Sequence, residues 1–320
     1  MSASVLCLRP EADFARLDAL PPPTLAVHYR KGDDADVPKL MRTVGALVIP
    51  AVGPKLAPAL FKGSSLKLVQ VTGAGLDRLD PATLTRLGIM AANVQGNPAV
   101  AEYVVTAATT LLRRLSWADA EIKRGNYAAF RARLIADNLA GLDGLLAGIV
   151  GFGVIGRSVA QAFHRLGCRV SFHDPAPPSA ISDAAALPLV DLLRTADIVS
   201  LHVPLLASTT NLIGARELAL MKPGAVLINA ARGGVVDETA LAAALTAGRI
   251  GGAAVDVYST EPPAPDNPLL TLSGEAAQRL LLTPHIAGVT RQSSAYLFRS
   301  AWANVERVLV RNEPPLYRAY

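Results

Sequence analysis

One pattern constrains this chain more than any other, and it occurs twice. Short apolar runs alternate with stretches long enough to return as helices. The first series reads Val5–Leu8, Leu25–Tyr29, Ala46–Pro50, Leu66–Val71 and Ile89–Val94. The second reads Leu145–Val150, Cys168–His173, Ile198–Val203, Ala225–Ala230, Gly252–Val257 and Leu280–Leu282. Near-continuous apolar runs fit strands buried on both faces, and the spacing fits crossover helices. Each series therefore predicts a parallel sheet covered by helices on both sides. A chain of 320 residues exceeds one ordinary core, so two tandem α/β domains fit the length. With 51% hydrophobic and 18% charged residues, the apolar volume for two cores is available.

The segments between the runs sharpen this division. From Asn97 to about Leu115 a helix is expected, with Pro98 in its first turn. It is apolar nearly all round, which predicts burial, including burial against a second subunit. Lys123–Asn138 is more polar and reads as a link to the second series. Asp237–Ala247 reads as a helix with Asp237 as N-cap and Gly248 as its stop. A last helix is expected over about Gln292–Val310.

Charge and cysteine usage exclude several function classes. The net charge of +5, from 31 basic and 26 acidic residues, is spread without long runs of one sign. That predicts mild attraction for small anions and no nucleic-acid partner. Cys7 and Cys168 are the only cysteines, too few for a disulfide framework or a metal-ligand pattern, and no metal is expected. Cys168 reads as a small buried filler. The N-terminus lacks a basic-then-apolar leader, and no apolar run approaches the roughly 18 residues needed to span a bilayer. The expectation is a soluble, cytoplasmic protein without a membrane partner.

The second series opens on Gly151-Phe-Gly-Val-Ile-Gly156, between an apolar run and the helical stretch Arg157–Leu166. In this setting Gly151 permits a tight turn, Gly153 lets the backbone approach a pyrophosphate, and Gly156 lets helix and strand pack closely. Val154 and Ile155 then stand at the positive end of the helix dipole. Asp174 ends the next run, near the roughly 20-residue spacing at which an acid holds the adenine-ribose hydroxyls. A carboxylate there repels a 2′-phosphate, and Pro175-Ala-Pro-Pro178 supplies no arginine to attract one, so NAD(H) is expected over NADP(H). His202-Val-Pro204 ends a further run of the same series. His202 is open to two readings, a nicotinamide neighbour or a satisfied near-core histidine. His173 fits the rim of an adenine pocket.

Three later motifs carry chemistry. Arg232 lies in Asn229-Ala-Ala-Arg-Gly-Gly-Val-Val-Asp-Glu238, just beyond an apolar run, where ligands gather in open α/β sheets. Its planar fork can grip a carboxylate through two parallel hydrogen bonds and polarise the adjoining carbonyl. His285 lies in Thr283-Pro-His-Ile-Ala-Gly288 and suits proton transfer near neutral pH. Glu261, in Asp256-Val-Tyr-Ser-Thr-Glu-Pro262, is the candidate carboxylate to sustain the charged imidazole. With a hydride carrier, this set is sufficient to reduce a 2-oxo acid.

The order and wording of these motifs resemble the D-isomer-specific 2-hydroxyacid dehydrogenase family, over most of the chain and most densely between Leu145 and Gly288. The resemblance implies two Rossmann-like or flavodoxin-like parallel-sheet domains with an interdomain cleft. The substrate-binding domain would be discontinuous, residues 1–97 plus 289–320, and the NAD-binding domain would be residues 98–288. It implies a D-stereospecific oxidoreductase moving hydride between NAD(H) and a small 2-hydroxy acid/2-oxo acid pair, such as a glyoxylate or hydroxypyruvate reductase, working as a homodimer. Arg232, Glu261 and His285 would be catalytic. Val203, Pro204, Ala230, Arg232, Asp256, His285 and Gly288 would join the glycine loop, Asp174 and His202 around the cofactor. Val71-Thr-Gly-Ala-Gly-Leu-Asp77 resembles the family's substrate turn, so Gly73, Ala74 and Gly75 would meet the substrate carboxylate with Arg232 and His285. Ala74 replaces the lysine of phosphite-oxidising relatives, and Glu261 the glutamine of formate dehydrogenases, which points away from both chemistries. Asn93–Glu102 resembles the family's hinge, with Gln95 where proline is common. Two alternatives stand beside this reading: an NAD-sensing corepressor-like binding protein, and a phosphoglycerate dehydrogenase without a regulatory domain.

Overall fold

The computed structural model describes residues 2–176 and 184–320. The chain forms two units, Met1–Asn97 with Val289–Tyr320, and Pro98–Gly288. Each is built on its own sheet, and every strand pair in both sheets is parallel.

Unit 1 contains β1 (Ala3–Cys7), β2 (Leu25–Tyr29), β3 (Ala46–Ile49), β4 (Leu68–Val71) and β5 (Met90–Ala92), in the order β2-β1-β3-β4-β5. β3 and β4 are buried at every position, as their unbroken apolar runs require. The short helices α1 (Glu11–Ala15), α2 (Val37–Leu40) and α3 (Pro81–Arg86) make three of the connections, and a 3-10 turn over Pro58–Phe61 lies in the fourth, between β3 and β4. The C-terminal helix, Arg291–Leu309, packs on the same sheet. Its Phe298 and Trp302 meet Phe14 of α1 with ring centroids 4.6 and 5.0 Å apart. Such aromatic pairs add about 0.5–1.5 kcal/mol each beyond burial. Beyond the helix the chain returns to the sheet edge, where Arg318 pairs antiparallel with Ala92.

Unit 2 begins with α4 (Pro98–Leu112), α5 (Leu115–Lys123) and α6 (Tyr127–Ala136). Its sheet then gathers β6 (Leu146–Val150), β7 (Arg169–His173), β8 (Ala185–Ala186), β9 (Ile198–Leu201), β10 (Val226–Asn229), β11 (Gly252–Val255) and β12 (Leu280–Leu282). The order is β12-β11-β10-β9-β6-β7-β8. The crossover helices are α7 (Val154–Arg165), α8 (Leu189–Thr195), α9 (Ala215–Leu220), α10 (Glu238–Thr246) and α11 (Gly274–Gln278). Strand order reverses between β6 and β9, the place where open α/β sheets bind ligands beyond the carboxyl ends of their strands, and Gly151 and His202 follow these two strands. α10 matches its expected limits, with the Asp237 carboxylate accepting from Ala240 N at 3.0 Å.

One expectation is corrected. Lys123–Asn138 is not a bare link: α6 occupies Tyr127–Ala136, anchored by Phe130 against Trp117 at 5.3 Å and by Arg133 over the Trp117 ring at 4.5 Å. One aromatic pair, one cation–π contact and the Arg133–Glu275 ion pair at 3.0 Å hold a helix whose polarity concealed it. Within this chain α4 buries Ala99, Val100, Ala101, Val104, Ala107 and Ala108, while Glu102 and Thr106 are exposed. The edge strand β8, two exposed alanines, has no apolar signature to betray it. Cys168 sits just before β7, is buried, and donates to Leu142 O at 3.1 Å. Burial pushes its thiol up to about 11, and that of Cys7 up to about 12, which fits inert filling.

Candidate active site

The glycine loop follows β6 at the strand-order reversal. Gly151 has φ of +91°, and a Cβ there would lie 2.7 Å from the His202 carbonyl carbon and oxygen. A Cβ on Gly156 would lie 2.0 Å from Gly151 O, so only glycine lets α7 approach β6 this closely. Around Gly153, by contrast, a Cβ would meet nothing within 4 Å. That glycine faces open space, which is the cradle a pyrophosphate needs. Gly153 and Val154 are exposed and Ile155 is half-buried. The first i to i−4 bond of α7 runs from Arg157 N to Gly153 O, leaving the earlier N–H groups outside the helix ladder.

Asp174 stands at the end of β7, its Oδ2 accepting from Phe152 N at 2.7 Å and its Oδ1 from Ala176 N at 2.9 Å. These bonds fix the carboxylate beside the glycine loop with lone pairs to spare for hydroxyl donors. Pro177 and Pro178, which entered the cofactor-preference argument, lie outside the described residues. His173 bonds Leu187 O through Nδ1 at 3.1 Å, so that nitrogen carries a proton. His202 is half-buried with Nε2 2.8 Å from Ser200 Oγ, and desolvation pushes its pKa down to about 3. It is a neutral ring at working pH, unsuited to donate a proton as imidazolium. Val203 is half-buried and Pro204 exposed beside it.

Arg232 rides on a turn clamped by a side chain from β10. Asn229, 2% exposed, donates from Nδ2 to Arg232 O at 3.1 Å and accepts from Ala231 N at 3.2 Å. Arg232 itself is half-buried and donates from Nη1 to Ala231 O at 2.6 Å. Ala230 is half-buried at the base of the same turn. Next comes Gly233, where a Cβ would lie 1.8 Å from Tyr258 O. The Arg232 turn thus presses directly on the segment leading to Glu261.

His285 and Glu261 are paired. His285 Nδ1 lies 2.8 Å from Glu261 Oε2, and the side chains are 31% and 27% exposed. A carboxylate only accepts, so Nδ1 carries the hydrogen and Nε2 is the ring nitrogen left for a ligand. Glu261 is held in turn by Tyr258 N, which donates to Oε1 at 3.1 Å. His285 has φ of +54°, in the left-handed region that costs most residues energy. Asp256 holds it there. Its backbone carbonyl accepts from His285 N at 2.8 Å. Its carboxylate accepts from Thr283 Oγ1 at 2.6 Å, Ile286 N at 2.8 Å and Ala287 N at 2.8 Å.

Asp256, which the motif places among the cofactor contacts, is 0% exposed, and its carboxylate holds the His285 loop. Thr283 and Tyr103 extend this support, and sequence reasoning misses both. Thr283 gives its hydrogen to Asp256, so the Tyr103 hydroxyl, 2.6 Å from Thr283 Oγ1, must be the donor to it. Burial pushes the Tyr103 pKa up to about 12, which keeps that proton in place. Asn229 stands in the Arg232 motif with no role legible from the motif itself. The available signal is the same in each case: a polar side chain inside or at the end of an apolar run must find a partner. Gly288 is half-buried at the loop's end. Among the described residues, no three His, Cys, Asp or Glu side chains are grouped to hold a metal ion.

In unit 1, Gly73–Gly75 follows β4. Gly73 O accepts from Val94 N at 3.0 Å, and Ala74 O from Asn93 Nδ2 at 2.7 Å. Ala74 is exposed, whereas Gly73 and Gly75 are buried.

A glycine cradle and a fixed acid at the strand-order reversal of a parallel sheet define unit 2 as a dinucleotide-binding unit. A sequence model described as "D-isomer specific 2-hydroxyacid dehydrogenase, NAD binding domain" matches residues 105–287. The chain belongs to the D-isomer-specific 2-hydroxyacid dehydrogenase family, and unit 2 is its NAD-binding domain. It is 39% identical over 257 residues to an (S)-sulfolactate dehydrogenase of Chromohalobacter salexigens, covering 78% of each chain. It is 34% identical over 253 residues to a D-3-phosphoglycerate dehydrogenase of Archaeoglobus fulgidus, covering 78% of this chain and 46% of that one. The chain thus spans about half the length of that relative. Among solved structures, the holo form of Rhodotorula graminis D-mandelate dehydrogenase superposes with a TM-score of 0.84 at 25% identity, covering 100% and 98% of the two chains. No helix among the described residues is long and apolar enough to cross a membrane.

Proposed function

We propose that this protein is an NAD-dependent 2-hydroxyacid dehydrogenase, reducing a small 2-oxo acid to the D-2-hydroxy acid and running in reverse when the oxidised cofactor is in excess. The observation that carries this reading is the His285–Glu261 pair at 2.8 Å, on a segment pressed against the Arg232 turn. The residues assigned to the cofactor are Gly151, Gly153, Val154, Ile155, Gly156, Asp174, His202, Val203, Pro204, Ala230, Arg232, His285 and Gly288. When bound, NADH supplies hydride to the substrate carbonyl carbon. Arg232 binds the substrate carboxylate and steadies the charge growing on the carbonyl oxygen. His285 donates the Nε2 proton to that oxygen, while Glu261 holds the ring by Nδ1. The amides of Ala74 and Gly75 in unit 1, the substrate-binding unit in this reading, form an anion-binding turn suited to a carboxylate.

NADH is assigned over NADPH because Asp174 places a carboxylate where a 2′-phosphate would be repelled. A homodimer is assigned on exposed apolar side chains along α5 and α6, namely Leu115, Ile122, Tyr127 and Ile135, which are 48–63% exposed. A cytoplasmic location is assigned on the two free, buried thiols.

The test is cofactor oxidation, followed at fixed NADH and then NADPH, against glyoxylate, hydroxypyruvate, pyruvate, a branched 2-oxo acid and 3-phosphohydroxypyruvate. Turnover of at least one acid is expected, with the lower KM for NADH. Silence across the panel with both cofactors refutes the reaction, and a preference for NADPH refutes the role of Asp174. The phosphorylated acid also decides the phosphoglycerate dehydrogenase reading, which the identity to the Archaeoglobus enzyme keeps open.

Replacing Arg232 by alanine should raise KM for the oxo acid and lower kcat together. One bidentate charge-assisted contact is lost in the ground state and more in the transition state. An unchanged KM would contradict carboxylate binding by this residue.

A further inference from the structure

We infer that Asn93 is a positioning residue for the substrate carboxylate: one hydrogen bond from its side chain aims a backbone N–H of the Gly73–Gly75 turn at the anion. The inference rests on the reading of that turn as an anion-binding element. Its physical basis is the planarity of the peptide unit. Each unit is trans, so the N–H of a residue points opposite to the carbonyl of the residue before it. Gly73 O is directed at Val94 N, 3.0 Å away, which sends the N–H of Ala74 the other way. Ala74 O is directed at Asn93 Nδ2, 2.7 Å away, which does the same for the N–H of Gly75. Both carbonyls face the chain leaving β5, and both amides face away from it. Two adjacent N–H groups on one side of a turn form an anion-binding concavity. The first peptide is set by backbone. The second depends on a side chain, and that side chain is Asn93.

A second observation separates this role from ordinary packing. Asn93 is 8% exposed, and its Oδ1 has no hydrogen-bond partner among the described residues. A buried acceptor without a partner destabilises a fold. An apolar side chain of similar size would avoid that penalty and lose only the Nδ2 bond to exposed Ala74, which water can replace, so stability alone does not explain an asparagine here. Exchanging the amide oxygen and nitrogen does not help, because two acceptors would then face each other at the Ala74 carbonyl. The backbone around Asn93 is independently fixed. Ala92 pairs with Arg318, and Ala319 N donates to Ala91 O at 2.8 Å. The side chain therefore acts from a steady base.

The experiment compares the wild type with Asn93→Leu and the near-isosteric Asn93→Asp, reading Tm, KM for the best 2-oxo acid, KM for NADH and kcat. For Asn93→Leu a Tm close to wild type is expected, because loss of the orphaned acceptor offsets loss of the Nδ2 bond to the exposed Ala74. KM for the oxo acid should rise about tenfold, the loss of one aimed donor, with KM for NADH unmoved and kcat changing less. Asn93→Asp removes the donor and adds a negative charge, so its KM should rise further. A merely structural role predicts the opposite split, a lower Tm with an unmoved KM, and that result overturns the inference. If Asn93→Leu fails to fold, Asn93→Asp is judged alone by the same split. A wild-type protein inert toward every oxo acid would instead remove the functional reading beneath it.

Discussion

Replacing His285 by alanine is expected to lower turnover of the best 2-oxo acid by about 10²–10⁴-fold, the usual contribution of a placed general acid. That range corresponds to about 3–5 kcal/mol in the barrier. The geometry supports a proton-transfer loss and not a binding loss. Nδ1 is committed to Glu261 at 2.8 Å, so the ring's free nitrogen is the one able to deliver a proton. The glycine cradle and Asp174 stand at the ends of β6 and β7, while the His285 loop is held by Asp256 at the end of β11. NADH affinity, measured by fluorescence titration, should therefore fall only modestly, since His285 is one contact among the residues assigned to the cofactor, while kcat collapses. The left-handed backbone at position 285 supplies a control. Asparagine tolerates that conformation better than alanine, and its amide is not a useful acid. His285→Asn should therefore keep the loop and still lose turnover to the same extent. Turnover within a few-fold of wild type in either variant would remove His285 from the reaction.

The sheets are legible in the sequence because parallel strands are buried on both faces. Runs such as Val226–Asn229 and Ile198–Leu201 have no solvent face to blur the signal. α6 is not legible, because it is held by contacts to Trp117 and the Arg133–Glu275 ion pair and not by an apolar stripe. The candidate site divides in the same way. Arg232, Glu261 and His285 stand in motifs whose residue types fit one chemistry, and the structure brings Glu261 and His285 into direct contact. The residues that hold them are harder to see. Asp256 occupies a motif position that reads as a ligand contact, and only its 0% exposure and three acceptor bonds reveal a support for the His285 loop. Tyr103 reaches Thr283 across 180 positions of sequence, a link that no local pattern can announce.

Gly233 is the position where the smallest substitution should do the most structural harm. A Cβ there would lie 1.8 Å from Tyr258 O, 2.1 Å from Tyr258 C and 2.7 Å from Ser259 N. All three are backbone atoms, so no side chain can rotate away to make room. Either the Arg232 turn or the segment carrying Glu261 must shift by more than an ångström. Both are tied down. The turn is clamped by buried Asn229, and Ser259 N donates to Glu238 Oε1 at 2.7 Å. Overpacking of this kind typically costs about 1–3 kcal/mol in stability. Displacement of a reacting group by about 1 Å can cost 10²-fold in rate. Gly233→Ala is thus expected to lower Tm and to reduce kcat/KM by about 10² or more, with the oxo acid affected more than NADH. Gly224→Ala is the matched control in the same unit, since a Cβ there meets nothing within 4 Å and its backbone is not left-handed. Wild-type kinetics and Tm in Gly233→Ala would mean that the two segments do not meet as described, and the link between the arginine turn and the histidine–glutamate pair would fall with them.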